Sequence, residues 1–329
     1  MAQPQSRCDV CGPCDRLLRC GGCKVVFYCS KDHQAADRRD HKRQCNDIIN
    51  ERLNFEAEDA ALRAKPSDVF FTQPIFENGV GHFWGIHETR DYMRARCAFI
   101  NALIPAGTVE SLSLALDHTM DMLRLCRGDN LGMRWQVPAL LLRLGKEQQC
   151  YDFIKWWAAI EDDGSYDWGN TSLPYLDVKN AGVFEPVDIF TKRFSVYLTF
   201  DMLLLKVKLL LDLIALQRSP ERSDGFSTSI VQARKDEFRA AGLQPLIEKL
   251  ESQISQLYQA VKSSNPHLWP AFMAPEPHLG TRPDFYTPGD LTEAQIALQQ
   301  SYQAWNETPG AEDVIHRLMA QDPDFPSHD

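Results

Sequence analysis

The chain has 329 residues, 44% of them hydrophobic, enough for one large domain or for a medium domain with a small module beside it. Its 45 Asp and Glu outnumber 35 Lys and Arg for a formal net charge of −10, which repels phosphate and argues against direct, counterion-driven nucleic-acid binding. Met1–Cys20 holds no apolar stretch of export-signal length, and the most apolar run, Leu203–Leu216, is interrupted by Lys206, Lys208 and Asp212, so neither a leader nor a membrane span is expected.

Those features predict a soluble protein of the cytosol or nucleus. Cysteine placement then sets the first element. Seven of the ten cysteines fall between Cys8 and Cys45, while Cys97, Cys126 and Cys150 lie in apolar helical patterns, as inert core thiols do. In a chain without an export signal, dense CxxC spacing reads as metal ligation rather than as disulfides. The order is Cys8-x2-Cys11, Cys20-x2-Cys23, Cys29-x3-His33 and His41-x3-Cys45. Four pairs of Cys or His ligands match two closed tetrahedral zinc sites. About fifty residues with few large apolar side chains cannot bury enough surface to fold alone, so two Zn²⁺ ions are expected to supply most of the folding free energy.

Tyr28-Cys29-Ser30-Lys31-Asp32-His33-Gln34, followed by Asp37, His41-Lys42 and Cys45, resembles the second half of a MYND-type zinc finger. Arg19-Cys20-Gly21-Gly22-Cys23-Lys24 and Val26 resemble its middle. The resemblance implies interleaved ligands, with Cys8, Cys11, Cys29 and His33 on one ion and Cys20, Cys23, His41 and Cys45 on the other. Cysteine is usual in the family at the position of His33, and Cys14 is the alternative fourth ligand there. Residues 1–50 carry nine Lys or Arg against six Asp, and metal-bound thiolates reduce that excess to about +1. MYND fingers that grip proline-rich peptides use a Gln and a Trp on the helix after the fifth ligand. The resemblance therefore marks Gln34, with Arg38 in the Trp position, as partner-binding residues; an arginine plane stacks on proline or aromatic groups with less apolar contact.

Beyond this finger (1–50), a helix over Ile48–Ala64 and extended segments with turns over Ser67–His87 are expected to form a linker (51–87). Apolar residues recurring every three or four positions then predict helices over Glu88–Ile104 and Val109–Arg127, opening an α-helical domain (88–264). Asp129-Asn130 offers an N-cap to the next helix, which Pro138 is expected to kink and Gly145 to end. Cys150, Phe153, Ile154 and Trp157 mark the buried face of another. This region weakly resembles a degenerate tetratricopeptide pair, with an irregular helical bundle as the alternative.

A loop over Asp162–Asp188 precedes a helix over Ile189–Gln217, apolar nearly all round and so expected at the centre of a core. After a polar break at Ser219–Ser227, the seam Ile247, Leu250, Ile254, Leu257 and Val261 is expected to pack within the domain. A connection (265–290) carries six of the chain's 19 prolines, and helices over Leu291–Trp305 and Ala311–Gln321 fill the last segment (291–329). Pro266-x-Leu268-x-Pro270 resembles a MYND ligand, which raises self-docking onto the finger.

No nucleophile–base pair, GxGxxG turn or phosphate loop is present, and the cofactor signature of SET methyltransferases is missing, so no enzyme activity is expected. The whole resembles fungal MYND-finger proteins with long helical C-terminal regions. It implies a protein–protein adaptor of corepressor-type or ubiquitin-ligase scaffold-type assemblies; the alternative is a finger that only caps its own helices.

Overall fold

A computed structural model describes residues 6–69, 71–192, 195–219, 221, 228–281, 283 and 285–325. Of these, 6–140 and 167–175 form one compact unit, and 141–166 and 176–325 another. Part of the expected break at 219–227 lies outside the described residues.

The first unit opens with a hairpin of β1 (Leu18–Arg19) and β2 (Phe27–Tyr28), paired antiparallel with Leu18 opposite Tyr28. Ser30 then caps α1 (Lys31–Ala64), its side chain accepting from the His33 N–H at 3.1 Å. This helix is continuous through residue 50, where the finger was expected to end, and stops at Lys65, held extended by Pro66. Before Ile48 it buries only His41 and Cys45, so this half has almost no apolar face of its own. Further along, Phe55 stacks on Phe99 at 5.9 Å and lies edge-on to His118 at 5.3 Å, seating α1 on the next long helices. Within the stretch expected as extended segments with turns, the turns are a short helix α2 (Ile75–Asn78) and two 3₁₀ turns, Phe83–Gly85 and His87–Thr89.

Next come α3 (Arg90–Leu103) and α4 (Val109–Leu125), whose Leu112, Leu116 and Leu123 are buried as their spacing predicts. Asp129 does cap, accepting the N–H groups of Met133 at 2.7 Å and Arg134 at 3.0 Å, but what it caps is a 3₁₀ turn, Met133–Trp135. Only then does α5 (Val137–Arg143) begin. Pro138 therefore lies in a first turn, where its missing N–H needs no partner, and the expected kink does not arise. The division between the two units falls inside α5, within the stretch read as repeat-like.

In the second unit α6 (Glu147–Asp163) and α7 (Asp188–Thr191) precede α8 (Val196–Arg218), which packs against both and against four later helices: α9 (Ser229–Ala241), α10 (Leu243–Ser264), α13 (Leu291–Asn306) and α14 (Ala311–Gln321). Burial on nearly every side explains its apolar circumference. The three charges within its run Leu203–Leu216 are each satisfied internally. Lys206 donates to the Val183 carbonyl and to Gln253 at 2.8 Å, Lys208 to Glu147 at 2.9 Å, and Asp212 accepts from the Thr228 hydroxyl at 2.8 Å. The α10 seam is buried against α8 within the unit, as expected.

Between α10 and α13 the proline-rich connection forms α11 (Leu268–Met273) and α12 (Glu276–Leu279). Leu268 and Trp269 are fully buried there, and Trp269 stacks on Tyr258 at 5.0 Å. Self-docking through Pro266, Leu268 and Pro270 is thereby corrected: the motif is partly helical and its central leucine belongs to the core. No helix among the described residues is long and apolar enough to cross a membrane.

Candidate metal centre

Two tight loops present the first ligand pairs. Cys8 and Gly12 exchange backbone hydrogen bonds at 2.8 and 2.9 Å, closing a loop whose last residue has the left-handed φ of +85° that suits glycine. In the second, Lys24 N–H returns to the Cys20 carbonyl at 3.1 Å. A Cβ on Gly22 would meet Cys45 Sγ and Ile49 Cδ1 at 2.9 Å, so the glycine permits close approach of this loop to α1. The hairpin then delivers Cys29 beside α1, and the helix supplies His33, with His41 and Cys45 one turn apart.

Eight side chains meet in two groups, Cys8, Cys11, Cys29 and His33, and Cys20, Cys23, His41 and Cys45; within each, the ligand atoms lie within 4.8 Å of one another. A tetrahedral ion with ordinary zinc–ligand lengths places sulfurs about 3.8 Å apart and a sulfur and a nitrogen about 3.6 Å apart. Cys11 and Cys29 are at 3.6 Å, Cys20 and Cys45 at 3.8 Å, Cys23 and His41 at 3.5 Å, and Cys8 and His33 at 3.4 Å. The groups thus fit two zinc ions. Four protein ligands close each site, so zinc there supplies a structural cross-link between loops, hairpin and helix rather than an open catalytic position.

In each group one thiol is pushed down and the others are pushed up. Burial works against charge on Cys8, but the N–H groups of Cys11, Cys29 and Val10 and the His33 ring bring its thiol down to about 6. Cys20 shows the same balance: burial opposes ionisation, while the Cys23 N–H, His41 and the Gly22 N–H favour it, again giving about 6. Cys23, Cys29 and Cys45 are pushed up, first by burial, so zinc must displace protons as it binds. The two sites also differ in access. Cys20, Cys23, His41 and Cys45 are all buried, whereas Cys11 is exposed and Cys29 and His33 are half-buried.

His33 takes its place in the outer group, with Nδ1 3.1 Å from Cys29 Sγ, and Cys14 stands beside that group rather than in it. Gln34 is half-buried and Arg38 exposed, one turn apart on α1. Between them Asp37 accepts from the Tyr28 hydroxyl at 2.5 Å, fixing this part of the helix to the hairpin. Thr108 went unnoticed in the sequence: its hydroxyl donates to the Val25 carbonyl at 2.6 Å while capping α4 by accepting from Ser111 N–H at 3.1 Å. Its N-cap pattern was visible, but its partner lies 83 residues away.

Residues 8–45 match the model of the MYND finger family. Over 38 residues the chain is 50% identical to Egl nine homolog 1 of Mus musculus and 47% identical to Egl nine homolog 1 of Homo sapiens. The matched stretch is 12% of this chain, and the chain spans about a tenth of the length of these relatives, 10% and 9% respectively. No solved structure matches the chain. Residues 8–45 are a two-zinc MYND finger, followed by a mostly α-helical body.

Proposed function

We propose that this protein is a non-catalytic adaptor of the cytosol or nucleus whose finger binds an extended, proline-containing segment of a partner protein. The supporting observation is the disposition of α1. Its ligands His41 and Cys45 are buried, while half-buried Gln34 and exposed Arg38 stand one turn apart. A proline ring set against the Arg38 plane, with its backbone held by the Gln34 amide, uses both residues without disturbing a zinc ligand. Exposed Val10 and Leu18 add apolar surface elsewhere on the finger.

The test is titration of a library of proline-containing peptides against the full zinc-loaded chain and against a Gln34→Ala/Arg38→Glu variant. Binding that disappears in the variant at unchanged zinc content supports the reading. No binding at millimolar peptide, or equal binding to both proteins, contradicts it. A second reading, in which the finger serves only to cap its own helices, is favoured by the Thr108–Val25 hydrogen bond and by the Phe55 packing, both of which integrate the finger into its unit.

A further inference from the structure

A fourth sulfur stands beside the three of the outer zinc group. Cys14 Sγ lies 3.4 Å from Cys11 Sγ, closer than any other sulfur pair in either group for which a contact is formed. In the inner group the sulfur contacts formed among the described residues, Cys20 with Cys45 and Cys23 with His41, join ligands to one another. Access differs in the same direction, since Cys11 is exposed and Cys14 half-buried while the inner ligands are buried. The tight Cys8–Gly12 loop turns the chain so that Cys14 comes back onto Cys11.

We propose that Cys11 and Cys14 form a redox pair, and that a hydroperoxide converts them to a disulfide, which discharges the outer zinc ion while the inner one stays bound. In the first step the Cys14 sulfur attacks a peroxide oxygen; the O–O bond breaks, hydroxide leaves, and the sulfur becomes a sulfenic acid. The Cys11 sulfur then attacks that sulfur; the S–S bond forms and the S–O bond breaks, its oxygen leaving as water. Overall, the Cys14 thiol, the zinc-bound Cys11 thiolate, one hydrogen peroxide and one proton from solvent give one disulfide and two waters, and the zinc ion loses that ligand. Cys11 is lost as a ligand, and Cys8, Cys29 and His33 are three donors where a closed structural site needs four. A dithiol reductant and zinc reverse the change. The inference rests on the two zinc groups and is independent of what the finger binds.

The experiment exposes the full zinc-loaded chain to hydrogen peroxide while a chromogenic chelator reports released zinc and peptide mass mapping locates disulfides. The expected result is early release of one zinc per chain together with a Cys11–Cys14 disulfide, reversed by dithiothreitol and zinc. Cys14→Ser should bind two zinc ions before oxidation and lose the first at least about tenfold more slowly. Equal release rates in the two proteins overturn the proposal, as does a disulfide between Cys11 and Cys29. A Cys14→Ser protein that holds one zinc before oxidation also overturns it, because Cys14 is then a ligand.

Discussion

The hydroxyl of Thr108 donates to the carbonyl of Val25 at 2.6 Å, so the residue that caps α4 also holds the β1–β2 connection just after Cys23. Removing it withdraws an N-cap and a long-range hydrogen bond together. Thr108→Val is expected to destabilise the chain by about 1–2 kcal/mol at unchanged zinc stoichiometry, measured by denaturant unfolding. A change within about 0.3 kcal/mol shows that the contact contributes little to stability.

Gly22 is the second structural dependence of the finger. Gly22→Ala places a methyl group 2.9 Å from Cys45 Sγ and Ile49 Cδ1, and α1 cannot recede without moving the inner ligands. The variant is expected to lose the inner zinc first in a chelator competition. Gly21→Ala is the control, because the space around that residue is open.

Zinc should also hold the first half of α1. Between Lys31 and Ile48 this helix buries two zinc ligands and no apolar side chain. Chelation is therefore expected to make the amides of residues 31–47 exchange rapidly while those of α8, with buried apolar contacts on every side, stay protected. Slow exchange at 31–47 after complete zinc removal would show that the packing further along α1 suffices.

A pH dependence unrelated to the metal comes from Asp201 on α8. It is fully buried, and burial raises its carboxyl to about 8, with Ser301 only partly opposing the shift. Since the folded value lies above the unfolded one near 4, folding favours the protonated form. The cost is absent below about pH 4, grows as pH rises, and levels off above about pH 8. Asp201→Asn should therefore gain stability relative to the parent between pH 5 and pH 8, by at least about 1 kcal/mol in urea unfolding. An equal difference at both pH values contradicts this.

The finger was legible because metal ligation is local: ligand type and spacing name the site, and the family resemblance gave the interleaving found in the structure. The buried α8 and the α10 seam were equally readable, because apolar periodicity reports which faces meet a core. Where reading failed, distant partners decided the outcome. The Pro266-x-Leu268-x-Pro270 pattern has the form of a ligand, yet the aromatic cluster around Trp269 claims Leu268 for the interior. Pro138 was expected to kink a helix because the preceding 3₁₀ turn, which moves it into a first turn, has no period of its own. The Cys11-x2-Cys14 spacing marked Cys14 as a neighbour of the outer group, whereas the Val25 bond leaves no trace in spacing.

The adaptor reading is tested most directly by capturing partners from native cells with three forms of the whole 329-residue chain: the parent, Gln34→Ala/Arg38→Glu, and Cys20→Ser. The account predicts one set of partners that is lost alike from the surface variant, which keeps both zinc ions, and from Cys20→Ser, which loses the inner one. If every partner survives in the surface variant, the finger is a cap on its own helices, and recognition must be sought on the helical body.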